Sequence, residues 1–188
     1  MSFSSSLNWT TDASFASGRY QSAADYVNGR LYVIDGSGPT ATSSIFIYDS
    51  TTKTWQTDTT IDLVARFDVA SAVDASGNIY IIDGSNGSSA ITEVTKFDPA
   101  TNTVVQVAST GTARLGAAAA TGADGKIYLF GGAGNSDEVY NPTTNSWSSI
   151  AALPAALPAL SFESAVADGS TIYVIGGTTT GDASSASN

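Results

Sequence analysis

Four short apolar runs recur along the chain, and each run holds one tyrosine and is closed by glycine. The tyrosines lie at positions 32, 80, 128 and 173, so the steps between runs are 48, 48 and 45 residues. Asn28-Gly29, before the first run, has the residues that a two-residue β-hairpin turn requires. Short apolar runs between such turns predict β-strands, and their regular spacing predicts a repeated all-β fold.

Three further sequence features recur at nearly the same spacing as the tyrosine runs, and they serve as landmarks of the repeat. An arginine precedes each of the first three runs, an aromatic residue followed by Asp or Asn comes after each, and a tryptophan then follows in the first and third copies. These landmarks are Arg19, Arg66 and Arg114; Tyr48-Asp49, Phe97-Asp98 and Tyr140-Asn141; and Trp55 and Trp147. Because several landmarks stay in register, the repeat covers most of the chain.

The combined pattern resembles the kelch repeat from Trp9 to Gly177. The resemblance implies β-propeller blades of four antiparallel strands: three full blades and a partial fourth in an incomplete or oligomer-completed ring. The expected division is an outer strand of a split blade at 1–15, blade 1 at 16–62, blade 2 at 63–110, blade 3 at 111–158, the inner half of blade 4 at 159–177 and a disordered polar tail at 178–188.

The second strand of each predicted blade is apolar at consecutive positions. A strand with one wet face alternates between apolar and polar residues, whereas Ile79-Tyr80-Ile81-Ile82 does not. We therefore expect a neighbouring blade on each face of this strand and the repeated tyrosines in the core. The tryptophans, Trp9 included, are expected at the outer edge of the blades.

These blades do not complete a ring, because propellers of this family usually close with more of them. Three arrangements follow. The favoured one is a part of a larger propeller; the others are a half-ring completed by oligomerisation and a small four-bladed closure with one defective blade. A blade without a neighbour exposes apolar surface, so we expect the isolated chain to be poorly soluble or oligomeric.

The charge and residue composition of the chain disfavour several classes of function. The chain has 7 Lys+Arg against 17 Asp+Glu, a formal net charge of −10, which disfavours nucleic acid and anionic membranes as partners. Cysteine and histidine are both absent from the sequence, which excludes disulfides, the usual zinc sites and histidine-based triads. We therefore predict no enzyme activity, no cofactor and no metal.

The sequence is compatible with two cellular locations. Residues 1–6 lack the basic region and apolar core of a secretory signal, and no apolar run approaches membrane-spanning length. A cytoplasmic location is the default expectation, and an extracellular one applies if the chain is a fragment of a secreted protein.

The repeated arginines are the main candidates for binding. In kelch adaptors, arginines at this position and the loops between the second and third strands line the mouth of the central channel. By position, the resemblance implies a binding set of Arg19, Arg66, Arg114, Ser37, Asn86 and Asn135. The alternative is structural: the arginines hydrogen-bond carbonyls or carboxylates between blades, such as those of Asp68 or Glu163.

Two aspartates replace the first glycine of the closing pair. Asp35 and Asp83 are each followed by Gly-Ser, and they match no calcium-loop spacing. Capping of nearby backbone N–H groups is the expected role.

Three functions remain open. The first is a non-catalytic module that binds a protein or peptide through the inner-strand entrance and loops. The second is a fragment of a secreted carbohydrate-binding protein, or of a galactose-oxidase-like enzyme whose catalytic residues are absent from this chain. The third is a purely structural repeat array.

Overall fold

The computed structural model describes residues 11–14, 17–37, 43–59, 64–132, 136–153 and 160–178. Within these ranges no helix has the length and apolar character that spanning a bilayer requires. The regular structure of the described residues consists of fourteen strands: β1 Ala23–Val27, β2 Arg30–Ile34, β3 Ile45–Asp49, β4 Thr54–Asp58, β5 Ala70–Val73, β6 Ile79–Ile82, β7 Val94–Asp98, β8 Thr103–Val107, β9 Ala118–Thr121, β10 Ile127–Phe130, β11 Glu138–Asn141, β12 Ser146–Ser149, β13 Ser161–Asp168 and β14 Thr171–Thr178.

The strands form four antiparallel sheets in chain order. Blade 1 is β1–β4, blade 2 is β5–β8 and blade 3 is β9–β12, and in each the strands pair consecutively. Blade 4 consists of β13 and β14. The inner strands β1, β5, β9 and β13 contact one another in that order. The predicted all-β fold, with three full blades and a partial fourth, is confirmed.

The hairpin between β1 and β2 forms as its sequence predicts. Val27 pairs with Arg30 across the turn. The two turn residues, Asn28 and Gly29, have φ values of 49° and 83°. Positive φ at both central positions gives a twist that matches the flanking strands, so the turn fixes the register of the hairpin.

The inner strands of blades 1 to 3 begin later than their apolar pattern predicts, whereas β13 begins at Ser161, one residue before its expected start at Phe162. Expected starts at Tyr20, Asp68 and Gly116 become Ala23, Ala70 and Ala118. The second residue after each arginine takes a positive φ, which takes it out of the strand region. The residue at this position in blades 1 to 4 is respectively Gln21 (58°), Asp68 (56°), Gly116 (63°) and Phe162 (64°).

These four residues form a backbone chain across the blades, here called the entrance ladder. The N–H of Asp68 donates to the carbonyl of Gln21 at 3.0 Å, Gly116 donates to Asp68 at 3.0 Å and Phe162 donates to Gly116 at 2.6 Å. Each blade is thereby hydrogen-bonded to the preceding one at the entrance to its inner strand.

Apolar side chains fill the space between successive blades. Tyr32 and Ile34 of blade 1 pack against a cluster that includes Ile79, Ile81 and Phe97 of blade 2. The rings of Tyr32 and Phe97 lie 5.8 Å apart, edge to face. This arrangement explains why β2 and β6 are apolar on the faces that they turn towards each other.

The next interface repeats the same contacts. Tyr80 and Ile82 of blade 2 pack with Ile127, Leu129 and Tyr140 of blade 3. The rings of Tyr80 and Tyr140 lie 5.6 Å apart. The tyrosine of one blade thus rests on the third-strand aromatic residue of the next.

Two of the four repeated tyrosines leave this pattern. Tyr128 is half-buried and lies parallel to Phe130 at 6.5 Å. Tyr173 is 51% exposed, so the expectation of a core position is wrong for this residue. Blade 4 has two described strands, so no third-strand aromatic residue from it covers Tyr128 in the described chain.

The tryptophans anchor the segments that lead into their blades. The Trp55 indole N–H donates to the Ala13 carbonyl at 2.7 Å. The Trp147 indole N–H donates to the Ala108 carbonyl at 2.8 Å. Trp9 lies outside the described residues.

Candidate functional site

The three candidate arginines lie immediately before the entrance ladder. Arg66 and Arg114 are wholly buried, and Arg19 is partly buried. A fully buried guanidinium must satisfy its five N–H donors within the protein, so its partners define its role.

Arg66 connects two strands of its own blade with the preceding blade. Its Nη1 donates to the Glu93 carbonyl at 2.8 Å and to the Asp83 carbonyl at 3.3 Å. Its Nη2 donates to Thr95 Oγ1 at 2.9 Å. Its Nε lies 3.3 Å from Oδ2 of Asp35 in blade 1.

Arg114 repeats the arrangement one blade further on. Its Nη1 donates to the Gly131 carbonyl at 2.6 Å. Its Nη2 lies 3.0 Å from Glu138 Oε2 and 3.1 Å from Ser136 Oγ. Its Nε forms an ion pair with Asp83 Oδ2 of blade 2 at 3.8 Å. Each of these two buried arginines is therefore paired with an aspartate of the blade before it.

Arg19 makes the same contacts within its own blade. Its Nη1 donates to the carbonyls of Asp35 at 3.0 Å and Ser44 at 2.7 Å. Its guanidinium lies over the Phe46 ring at 3.9 Å, a cation–π contact. Its buried Nε has no hydrogen-bond partner in the described part of the chain, where no blade precedes blade 1.

The junction between blades 3 and 4 uses different residues at the same positions. The N–H groups of Gly36, Gly84 and Gly132 donate respectively to the carbonyls of Arg66, Arg114 and Leu160, which makes Leu160 the counterpart of the arginines. Gly131 stands where blades 1 and 2 have aspartate. Aspartate and arginine are thus both absent at this junction.

Glu163 occupies the space that Gly131 leaves open. A Cβ atom on Gly131 would collide with the Glu163 carboxyl group. Both Glu163 oxygens are buried, and neither has a hydrogen-bond partner among the described residues. Burial, together with the nearby Asp137 carboxylate, raises the pKa of Glu163 to about 7.

The two junction aspartates have different surroundings. Burial raises the pKa of Asp35 to about 7, although the Arg66 guanidinium lowers it. Burial likewise raises the pKa of Asp83 to about 7, which a hydrogen bond from Thr110 and the charge of Arg114 lower. Thr110 Oγ1 lies 2.6 Å from Asp83 Oδ1.

The expected capping role belongs to a different aspartate. Asp35 and Asp83 contact the arginine of the following blade instead. Asp137 does cap backbone groups: it accepts from the Gly131 N–H at 3.1 Å and from the Leu153 N–H at 2.8 Å. The arginines also pair with Asp35, Asp83 and Glu138, and not with the Asp68 or Glu163 suggested by the sequence.

Two of the loop candidates, Ser37 and Asn86, lie in different environments. Ser37 is buried and exchanges backbone hydrogen bonds with Tyr20 at 3.1 and 2.9 Å. Asn86 is exposed, and its Oδ1 accepts the N–H groups of Ser88 at 2.9 Å and Ser89 at 3.0 Å. Asn135 lies outside the described residues. A binding role for these loop residues and the arginines stays a prediction.

The residue that follows each arginine is not among the candidates that the repeat pattern predicts. Tyr20 is 58% exposed, Leu115 is 36% exposed and Phe67 is half-buried. All three stand one residue before the entrance ladder and are here called the entrance row. An aromatic or aliphatic residue directly after arginine in three copies is the signal that could have identified them.

Four-stranded antiparallel sheets in series, tied at their inner ends, define the chain as a repeat protein of the β-propeller class. The chain belongs to the kelch-repeat family, because the family model of the KLHDC2/KLHL20/DRC7 Kelch-repeats domain matches residues 4–183. Kelch-repeat domains typically mediate protein–protein interaction. No curated protein matches the chain.

A solved structure supports the same fold. The protein described as "Structure of YjhT" is 18% identical to this chain, with a TM-score of 0.76 over 90% of this chain and 63% of that one. The chain therefore spans 63% of the length of this structural neighbour. The likeness concerns the fold.

Proposed function

We propose that the chain is a non-catalytic module that binds a protein or peptide at the entrance to its inner strands. The observation that carries this proposal is the entrance row, in which Tyr20, Phe67 and Leu115 present apolar surface from three successive blades. Aromatic residues are enriched in protein interfaces and often provide the largest share of binding free energy.

The hydrogen bonds next to and beneath the entrance row hold its backbone in place, which favours binding. The entrance ladder hydrogen-bonds each blade to the preceding one directly next to these side chains. Below it, Arg66 and Arg114 are wholly buried and bind backbone carbonyls. A surface that is already ordered loses less conformational entropy when a partner binds. In this proposal, the two buried arginines hold the surface in place and do not touch the partner.

The loops beside the entrance row add polar contacts. Ser37 pairs with Tyr20, and Ser85, at the start of the loop that includes Asn86, pairs with Phe67. The net charge of −10 favours a neutral or cationic partner surface over an acidic one. This preference concerns the long-range attraction between the two proteins.

The test is a quantitative pull-down with three forms of the full chain. The Tyr20→Ser, Leu115→Ser double variant removes two apolar side chains from the entrance row. The Val105→Ser variant removes an apolar side chain of similar exposure (47%) from the outer strand β8 and is the matched control. The proposal expects a protein that the wild type and the control retain and the double variant loses. Equal retention by all three forms contradicts it.

A further inference from the structure

The entrance ladder carries one acidic side chain next to the entrance row. Asp68 is the only carboxylate among the residues of the entrance row and the entrance ladder. Its N–H donates to the Gln21 carbonyl at 3.0 Å, and its carbonyl accepts from the Gly116 N–H at 3.0 Å. Hydrogen bonds to blades 1 and 3 therefore hold the backbone of this residue in place.

The described part of the chain pairs no Lys or Arg with the Asp68 carboxylate. All 7 Lys and Arg residues of the sequence lie within the described residues, and none of them forms an ion pair with Asp68 there. Asp68 is half-buried; burial raises its pKa, and a hydrogen bond with the Gln21 side chain lowers it. An ionised carboxylate has about four acceptor positions, so Gln21 leaves most of them available. A cation would therefore stabilise this partly desolvated group.

The repeated arginines do not supply that cation. Arg66 and Arg114 are wholly buried, and each forms its ion pairs beneath the entrance ladder. Arg19 is partly buried and donates to carbonyl groups of its own blade. The charge that the entrance offers to a partner is therefore the negative charge of Asp68.

Aromatic residues stand on both sides of this carboxylate. Phe67 directly precedes Asp68, and Tyr20 occupies the same position in blade 1. On the other side, the Phe162 ring lies over the backbone of Gly116, where an added Cβ atom would be 2.6 Å from Phe162 Cδ1. Tyr20 is 58% exposed and Phe162 is 44% exposed, so both rings are accessible to a partner.

We propose that the partner binds with an arginine side chain, whose guanidinium pairs with Asp68 and stacks on the aromatic residues beside it. This role of Asp68 rests on the proposed function of the entrance row. Arginine fits better than lysine, because its planar guanidinium donates two parallel hydrogen bonds to a carboxylate and also stacks on aromatic rings. The net charge of −10 attracts the same class of partner at long range.

The test begins with a phage-displayed library of random short peptides, selected on the immobilised full chain. Peptides that the wild type retains and the Tyr20→Ser, Leu115→Ser double variant loses are bound at the entrance row. Arginine is expected to be enriched in these peptides over the unselected library. If no such peptides are found, the proposed function fails, and the role of Asp68 fails with it. If they are found without arginine enrichment, the role of Asp68 alone is overturned.

Anisotropy titration then measures the contribution of Asp68 with a fluorescent form of one selected peptide. Asp68→Asn is expected to bind this peptide at least about tenfold more weakly than the wild type, because a charge-assisted pair is lost. Asparagine tolerates positive φ as aspartate does, and circular dichroism verifies the fold. Asp124→Asn, at the turn between β9 and β10, is the matched control and should bind like the wild type.

A change in the peptide gives a second measurement that does not depend on the variant chain. Replacing the peptide's arginine by glutamine is expected to weaken binding to the wild type by a similar factor. The glutamine peptide is expected to bind the wild type and Asp68→Asn equally, because the two changes remove the same contact. Equal binding of the arginine peptide to the wild type and Asp68→Asn, or of the two peptides to the wild type, overturns the proposal.

Discussion

Arg66 has five hydrogen-bond or ion-pair partners, and they come from two blades. Burial makes this side chain a structural support, because every donor faces a carbonyl, hydroxyl or carboxylate oxygen. Arg30 shows the contrast: its ion pair with Asp49 is 3.5 Å long, and half of its side chain is exposed. We therefore expect Arg66 to contribute much more to the stability of the protein than Arg30.

Replacing Arg66 by methionine should cost much more stability than the same change at Arg30. Arg66→Met removes a buried donor from the Asp35 carboxyl group and from several carbonyls, so we expect a loss of about 3–5 kcal/mol in the free energy of unfolding. Arg30→Met removes an exposed pair and should cost less than about 1 kcal/mol. Urea unfolding of both variants measures the difference.

A double-mutant cycle separates the ion pair from the other contacts of Arg66. Asp35→Asn combined with Arg66→Met should cost less than the sum of the single changes, because the uncompensated carboxylate is then gone. If Arg66→Met and Arg30→Met have the same cost, the assigned structural role is wrong.

Repeat spacing predicts where each arginine lies but not what it binds. The repeat register predicts the positions of Arg19, Arg66 and Arg114, whereas the aspartate partners of Arg66 and Arg114 lie in the preceding blade. That contact depends on how one sheet is oriented over the next, which spacing along the chain does not contain. The entrance row was missed for the same reason: exposure follows from how the blades pack.

At the level of strands, prediction succeeds where side-chain pattern and backbone preference agree. The sequence predicts second strands over Arg30–Ile34, Ile79–Ile82 and Ile127–Phe130, and β2, β6 and β10 have these bounds because glycine turns flank each apolar run on both sides. The inner strands β1 and β5 start late because Gln21 and Asp68, just before them, take positive φ values that the apolar pattern of the strands does not indicate.

The inner strand of blade 4 carries a group that should make stability depend on pH. The pKa of Glu163 in β13 is about 7 in the folded protein and about 4.5 for an ordinary glutamate. Between these values the folded protein keeps a proton that the unfolded chain releases. The free energy of unfolding should therefore fall as pH rises through this window.

Glu163→Gln should flatten this dependence, because glutamine does not titrate. Urea unfolding at several values from about pH 5 to about pH 8 is the measurement, and the variant should be the more stable protein at the upper end. Asp35 and Asp83 act in the same direction, so some slope remains. The exposed Asp124→Asn change is the control. An unaltered slope in Glu163→Gln would contradict the assignment.

Over the whole molecule, the outward face of blade 4 has no neighbouring blade in the described chain. Ile175 of blade 4 is 60% exposed, whereas its counterparts Ile34 and Ile82 are fully buried by the next blade. Tyr173 beside it is exposed in the same way. The repeat predicted the number of blades correctly. It did not predict what covers the open face, because the repeat pattern contains no information about the surface that contacts it.

The open face should make the chain self-associate. We expect sedimentation velocity to show association that increases with concentration for the wild type, because contact between open faces removes apolar surface from water. Tyr173→Ser with Ile175→Thr should shift the distribution towards the monomer. Val105→Thr, on the outer strand β8, should leave it unchanged. Identical behaviour of wild type and double variant would show that another surface is responsible.

The placing of Asp35 and Asp83 one blade ahead of their arginines limits how such a chain can lengthen. A gene duplication that copies a whole blade and inserts it after blade 3 sets a new arginine against Gly131, so that the arginine has no aspartate partner from the preceding blade. A copied unit that starts within a blade, such as 35–82, carries Asp35 and Arg66 together. The duplicated segment that preserves these ion pairs therefore begins and ends within blades and does not coincide with a single structural blade.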